Sequence, residues 1–238
     1  MTGRSAVVGL DIATLTDLPR LCSAARLGPY LAACNGDRAG ALRLYAWNIE
    51  MTAAFWGPIA VLEIAVRNTM HDALRAGRND DWWNDEAVHL MPRERRAVDG
   101  ATDTLARRGV ARPTADQVVA ATSFGFWVGL TDAGVPRHPT LSYETVLWQP
   151  RLRTAFPHLG TLRRKRLHRL LDDVRRFRNR LAHHEPTHAA PLGRIRDDIT
   201  RIAGIVSPDA ERLIVDSSRI DPVLARRDEA LNAGRTVI

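Results

Sequence analysis

The spacing of apolar residues between 162 and 182 constrains this chain more than any other feature. Leu167, Leu170, Leu171, Val174, Phe177 and Leu181 recur at intervals of three and four, which at about 100° per residue puts them on one arc of a helix. A second arc lies in 39–76, formed by Ile59, Leu62, Val66, Met70 and Leu74. No run alternates apolar and polar residues for long enough to make a strand. The expectation is an all-α fold, a multi-helix bundle.

Breakers divide the pattern. Asp17 followed by Pro19 opens a helix to about 33, and Cys34-Asn35-Gly36-Asp37 turns the chain. Pro58 divides 38–76 into helices of about 38–56 and 58–76. Further helices are expected near 92–108, from 114 to 130, in short pieces over 143–156, and over 162–182, 191–205 and 208–216. The loop 131–139, "TDAGVPRHP", holds so many breakers that a hinge near 131–141 is expected. The resulting organisation is a loosely packed N-terminus over 1–16, one helical domain over 17–216 and a C-terminal tail over 217–238.

A chain of 238 residues, 45% hydrophobic and 26% charged, can bury a sizeable core. The apolar run before Asp11 is too short for a signal-peptide core, and no stretch nears about 18 uninterrupted apolar residues. A cytoplasmic protein without a membrane partner is expected. Cys22 and Cys34 read as two reduced thiols and not as half of a metal site.

The formal net charge is +7, and Lys165 is the only lysine. Residues 151–180 hold eleven basic residues against Asp172 and Asp173, so this stretch alone carries +9. Such a stripe suits a phosphate-bearing partner, with Arg163, Arg164, Lys165, Arg175, Arg176 and Arg180 as RNA contacts. A solvated helix face explains the same charge.

Two charges fall where apolar residues belong. Arg178 lies inside the arc between Val174 and Leu171, and Glu63 lies between Met70 and Leu74. A charge facing a core needs a partner, so Glu63 is expected to meet Arg178, or Arg67 one turn on.

The segment "RNRLAHHEPTH", 178–188, supports two chemistries. His184, Glu185 and His188 spell the zinc-hydrolase pattern His-Glu-x-x-His, but Pro186 disfavours the unbroken helix that metal ligation requires. Arg178 and His183 stand as Arg-x4-His, which offers a guanidinium for a phosphorane and an imidazole for proton transfer without any metal or cofactor. In a continued helix His183 points about 140° away from Arg178. Either the helix ends early, or a two-fold partner supplies the complementary group. Arg67, Asn68 and His71 look like a second copy, one residue too short, in which His71 reads as an exposed histidine that is structural or idle.

With these residues in hand, the chain resembles the Abi-like (abortive infection) proteins of the HEPN superfamily. The resemblance is carried by "LYAWNIEMTAAFWGPIAVLEIAVRN" (44–68), "SFGFWVGL" (123–130), "LWQPRLRTAFP" (147–157) and above all "VRRFRNRLAHHEP" (174–186). It implies a HEPN-like bundle with extra N- and C-terminal helices that cleaves or binds RNA, in phage defence or as a toxin with room for an antitoxin, and commonly as a homodimer with a composite site. By analogy Arg178 stabilises phosphate, His183 is the acid-base residue and Asn179 orients one of them. Glu63, Arg67, Asn68 and His184 are accessory candidates. The alternative is a catalytically silent RNA-binding or regulatory module.

Overall fold

The computed structural model describes residues 11–15 and 17–237. Among them the fold is all-α, with no strand and one isolated bridge between Gly134 and Ser142. The helices are α1 (Leu18–Leu21), α2 (Ala24–Ala33), α3 (Arg38–Arg75), α4 (Pro92–Arg107), α5 (Ala115–Ala121), α6 (Phe124–Leu130), α7 (Arg164–Ala182), α8 (Leu192–Val206), α9 (Pro208–Ser217), α10 (Ile220–Ala225) and α11 (Arg227–Ala233).

Where the sequence reads one domain over 17–216, the described residues group into two compact units. One comprises the chain up to Pro58, Arg178–Arg196 and the chain from Ser217; the other comprises Ile59–Phe177 and Asp197–Asp216. The 131–141 loop lies inside the second unit, not at a boundary, because its own hydrogen bonds close it. Val135 N–H donates to the Leu141 carbonyl at 2.8 Å, Tyr143 N–H donates to Ala133 at 3.0 Å, and His138 Nδ1 accepts from Leu141 N–H at 3.1 Å. Gly134 permits this closure: its φ is +63°, and a Cβ there would stand 2.1 Å from the Leu141 carbonyl oxygen.

In the first unit the N-terminal half of α3 is the core element, with Trp47, Met51 and Phe55 fully buried. The indole N–H of Trp47 donates to the Val223 carbonyl at 3.1 Å, Arg226 pairs with the buried Glu50, and the Arg227 guanidinium lies 5.3 Å over the Trp47 ring. Residues 217–237, read from sequence as a tail, are therefore α10 and α11 packed by Ile220, Val223 and Ala230. Of the expected loose N-terminus only 11–15 fall among the described residues. There Asp11 caps a 3-10 turn at Ala13 and pairs with Arg43 at 2.6 Å. Cys22 and Cys34 are free thiols.

In the second unit both arcs predicted for its helices are buried. Ile59, Leu62, Val66, Met70 and Leu74 of α3 and Leu167, Leu170, Leu171, Val174 and Phe177 of α7 lie in the core, each contributing about 1.5–3 kcal/mol by burial. Trp82 packs against Phe126 and Trp127 at centroid distances of 6.4 Å, and α4 packs on α5 and α6.

Three helix boundaries differ from the pattern. Helix α3 runs unbroken through Pro58, because Ala54, Phe55, Pro58 and Ile59 are all buried and packing outweighs the missing N–H. Residues 114–130 form two helices, since Thr122 and Ser123 are extended and the Trp127 indole N–H bonds the Thr122 hydroxyl at 2.9 Å. The expected helix over 17–33 breaks at Ser23, whose φ is +59°. By length and composition alone α3 could cross a membrane, a test that the core helix of a soluble protein also passes.

Candidate functional site

The end of α7 is built by a Schellman cap. His183 N–H still bonds the Asn179 carbonyl at 3.0 Å, His184 N–H reaches back to Leu181 at 3.0 Å, and Glu185 N–H closes onto Arg180 at 2.9 Å. The left-handed position of this motif falls on His184, with φ +54°, where glycine is usual. Arg26 donates to the His184 carbonyl at 2.8 Å, and Arg180 donates to the Pro186 carbonyl and lies 3.5 Å from Glu185. Beyond the cap, Thr187 is fully buried, and its N–H and hydroxyl both donate to Asn48 Oδ1, at 2.8 and 2.9 Å.

This cap decides the position of His183. Its backbone keeps the helical bond, so it stays about 140° around the helix from Arg178 and does not swing toward it. His183 and His184 are exposed, Asn179 is half-buried, and the half-buried Arg178 places its guanidinium 5.4 Å over the Trp56 ring. Within one copy the cap holds the motif's arginine and histidine on different faces.

The zinc pattern is likewise dispersed. The cap ends the helix before Glu185, so His184 and His188 do not stand one helical turn apart. The His188 ring lies tilted against Tyr30 at a centroid distance of 5.0 Å, its Nδ1 is buried without a partner among the described residues, and burial, then Arg227 and Arg180, hold its pKa below the usual histidine range. No group of three metal-ligating side chains occurs among the described residues.

Four of the six basic residues expected to contact RNA already hold partners. Arg164 pairs with Glu144 and donates to the Thr131 carbonyl at 2.6 Å. Arg175 and Arg176 share Asp172, at 2.7 and 2.9 Å, and Arg180 is tied into the cap. Against burial, which would raise it, the two arginines keep the Asp172 carboxyl below its usual range. Arg163 and Lys165 are exposed. Arg175, Arg176 and Asp172 border a cavity of about 480 Å³ that also takes in His168, a residue not singled out by sequence reasoning. His168 Nδ1 lies 2.9 Å from the Thr131 hydroxyl.

The short second motif is the larger surprise. Arg67 and Asn68 lie on the part of α3 that belongs to the second unit, with Arg67 Nε donating to Asn68 Oδ1 at 3.4 Å, and Glu63 sits half-buried one turn before Arg67. Glu63 falls in the second unit with Arg67, and Arg178 falls in the first. His71, expected to be exposed and either structural or idle, is instead 5% exposed, because the chain after α3 lays Trp82 and Trp83 beside it. The Trp82 indole N–H donates to His71 Nδ1 at 3.1 Å, and His71 Nε2 is buried without a partner among the described residues. Burial first, then Arg75, push the His71 pKa down, opposed by Asp72, Asp116 and Asp80. The signal in the sequence was the pair Trp82-Trp83 in a polar loop, which needs something to cover.

No family model, curated protein or solved structure matches this chain.

Proposed function

We propose that the chain is a metal-independent endoribonuclease of the Abi-like, HEPN type, acting as a homodimer with a composite site, in phage defence or as a toxin in the cytoplasm. The observation that carries this reading is the end of α7. A rigid cap presents an exposed imidazole at the tip of an arginine-rich helix, within two turns of Arg178 and Asn179. Because the cap holds His183 about 140° from Arg178, one copy cannot offer both to one phosphate, and a second copy supplies the complement. His183 takes the ribose 2′-OH proton, the 2′ oxygen attacks phosphorus, Arg178 stabilises the phosphorane charge, and the P–O5′ bond breaks as the resulting imidazolium returns its proton to the departing 5′ oxygen. The products are 2′,3′-cyclic phosphate and 5′-OH ends.

A silent RNA-binding module is the second reading, favoured by the engagement of Arg178, the residue needed for phosphorane stabilisation, with the Trp56 ring. Incubating the protein with RNA in excess chelator separates the two. Fragments ending in 2′,3′-cyclic phosphate support the ribonuclease, and binding without cleavage supports the module. Mixing Arg178→Ala with His183→Ala copies restores cleavage if the site is composite and leaves it absent otherwise.

A further inference from the structure

Arg67, Asn68 and His71 stand at i, i+1 and i+4 on unbroken α3, so the arginine and the histidine share one face one turn apart. With Asp72, Arg75 and Asp116 they line a cavity of about 360 Å³, within the range of small-ligand sites, about 300–1,000 Å³. The indole N–H of Trp82 can only donate, so the His71 Nδ1 that accepts from it carries no proton, and the neutral ring bears its proton on Nε2. That Nε2–H is a buried donor with no partner among the described residues. Arg67 makes no ion pair among the described residues, and its bond to Asn68 Oδ1 leaves the Asn68 amide NH2 to donate elsewhere. Three donors, one of them cationic, thus line one cavity.

The acidic side of the cavity is divided. Asp72 is held by Arg75 at 3.0 Å, whereas Asp116, in the first turn of α5, is exposed and pairs with no arginine among the described residues. The cavity therefore offers one uncommitted cation with two neutral donors, and one uncommitted acceptor. We infer that it binds a sugar phosphate, whose phosphoryl oxygens accept from Arg67, Asn68 and His71 while Asp116 accepts from a ribose hydroxyl. A free nucleotide and a unit of an RNA strand present this same chemistry. The inference is independent of the ribonuclease reading.

The test uses the full chain carrying His183→Ala, so that cleavage plays no part in it. With histidine rings labelled by ¹⁵N, the protein is titrated with AMP, a short RNA oligonucleotide and inorganic phosphate, and dissociation constants are measured by calorimetry. The expected result is a shift of the His71 Nε2–H resonance with AMP or RNA. Arg67→Gln weakens binding at least about tenfold, and Asp116→Asn weakens AMP or RNA binding relative to inorganic phosphate. A response to AMP identifies a free nucleotide, and a response to RNA alone identifies the strand. No shift with any of the three probes, an unchanged affinity in Arg67→Gln, or an equal effect of Asp116→Asn on all probes overturns the inference.

Discussion

The chain carries an arginine, an asparagine and a histidine twice, at 67–71 and at 178–183, and the two sets differ by one residue of spacing. At 67–71 the spacing of four keeps arginine and histidine on one face of a continuous helix, and the histidine is buried against an indole. At 178–183 the spacing of five separates them by about 140°, and the histidine stands exposed on a helix cap. One insertion therefore distinguishes a set gathered within one copy from a set divided between faces. A gathered, buried histidine is suited to fixed hydrogen bonding, and a divided, exposed one to proton exchange with groups that reach it from solvent.

Four measurements break or sharpen this contrast. The largest effect is expected at the exposed histidine. His183→Ala should lower RNA cleavage by about two to four orders of magnitude while leaving the thermal midpoint unchanged. Full cleavage by the folded variant removes the chemistry from 178–183.

Next is the buried support behind the cap. Asn48→Ala leaves the Thr187 N–H and hydroxyl unmatched in the core, at roughly 1–3 kcal/mol for each group. Denaturant midpoints should register that loss, and a change within error would mean that the segment after the cap is held by something else.

The third effect is a dependence on pH. The folded pKa values of His71 and His188 are depressed below the ordinary 6.5, so the unfolded chain binds these protons first. Both histidines thus contribute stability that is present above pH 6.5 and is lost as pH falls through the folded values. Urea unfolding between pH 7.5 and 5 should show the decline, and His71→Gln should flatten part of it; an identical slope in that variant places the dependence elsewhere.

The smallest effect is at the left-handed residue. Replacing the exposed His184 by glycine relieves its positive φ and should raise stability by about 1 kcal/mol. A loss of stability there would show that the imidazole makes a contact of its own.

Periodicity alone located the buried faces. Every residue of the two predicted arcs is in the core, because an apolar stripe at helical spacing has one low-energy place to go. Breakers were read less well, and for one reason. Pro58 sits inside a continuous helix, Ser23 and Thr122 interrupt expected ones, and Gly134 closes a loop that looked like a hinge. A breaker reports a local preference of a few kcal/mol, which the burial of its neighbours exceeds in either direction.

The sites divide in the same way. The residue types and spacing at 178–183 are legible in the sequence, as is the predicted end of the helix near Pro186. The Schellman bonds that hold His183 away from Arg178, the carboxylates that occupy Arg164, Arg175, Arg176 and Arg180, and the Trp82 indole that buries His71 were decided by tertiary structure. The sequence by itself determined which helix faces are apolar, because that follows from side-chain chemistry repeated every 3.6 residues. Only the folded chain decided which polar groups are left free, because a hydrogen bond between residues distant in sequence depends on where both backbones finally lie.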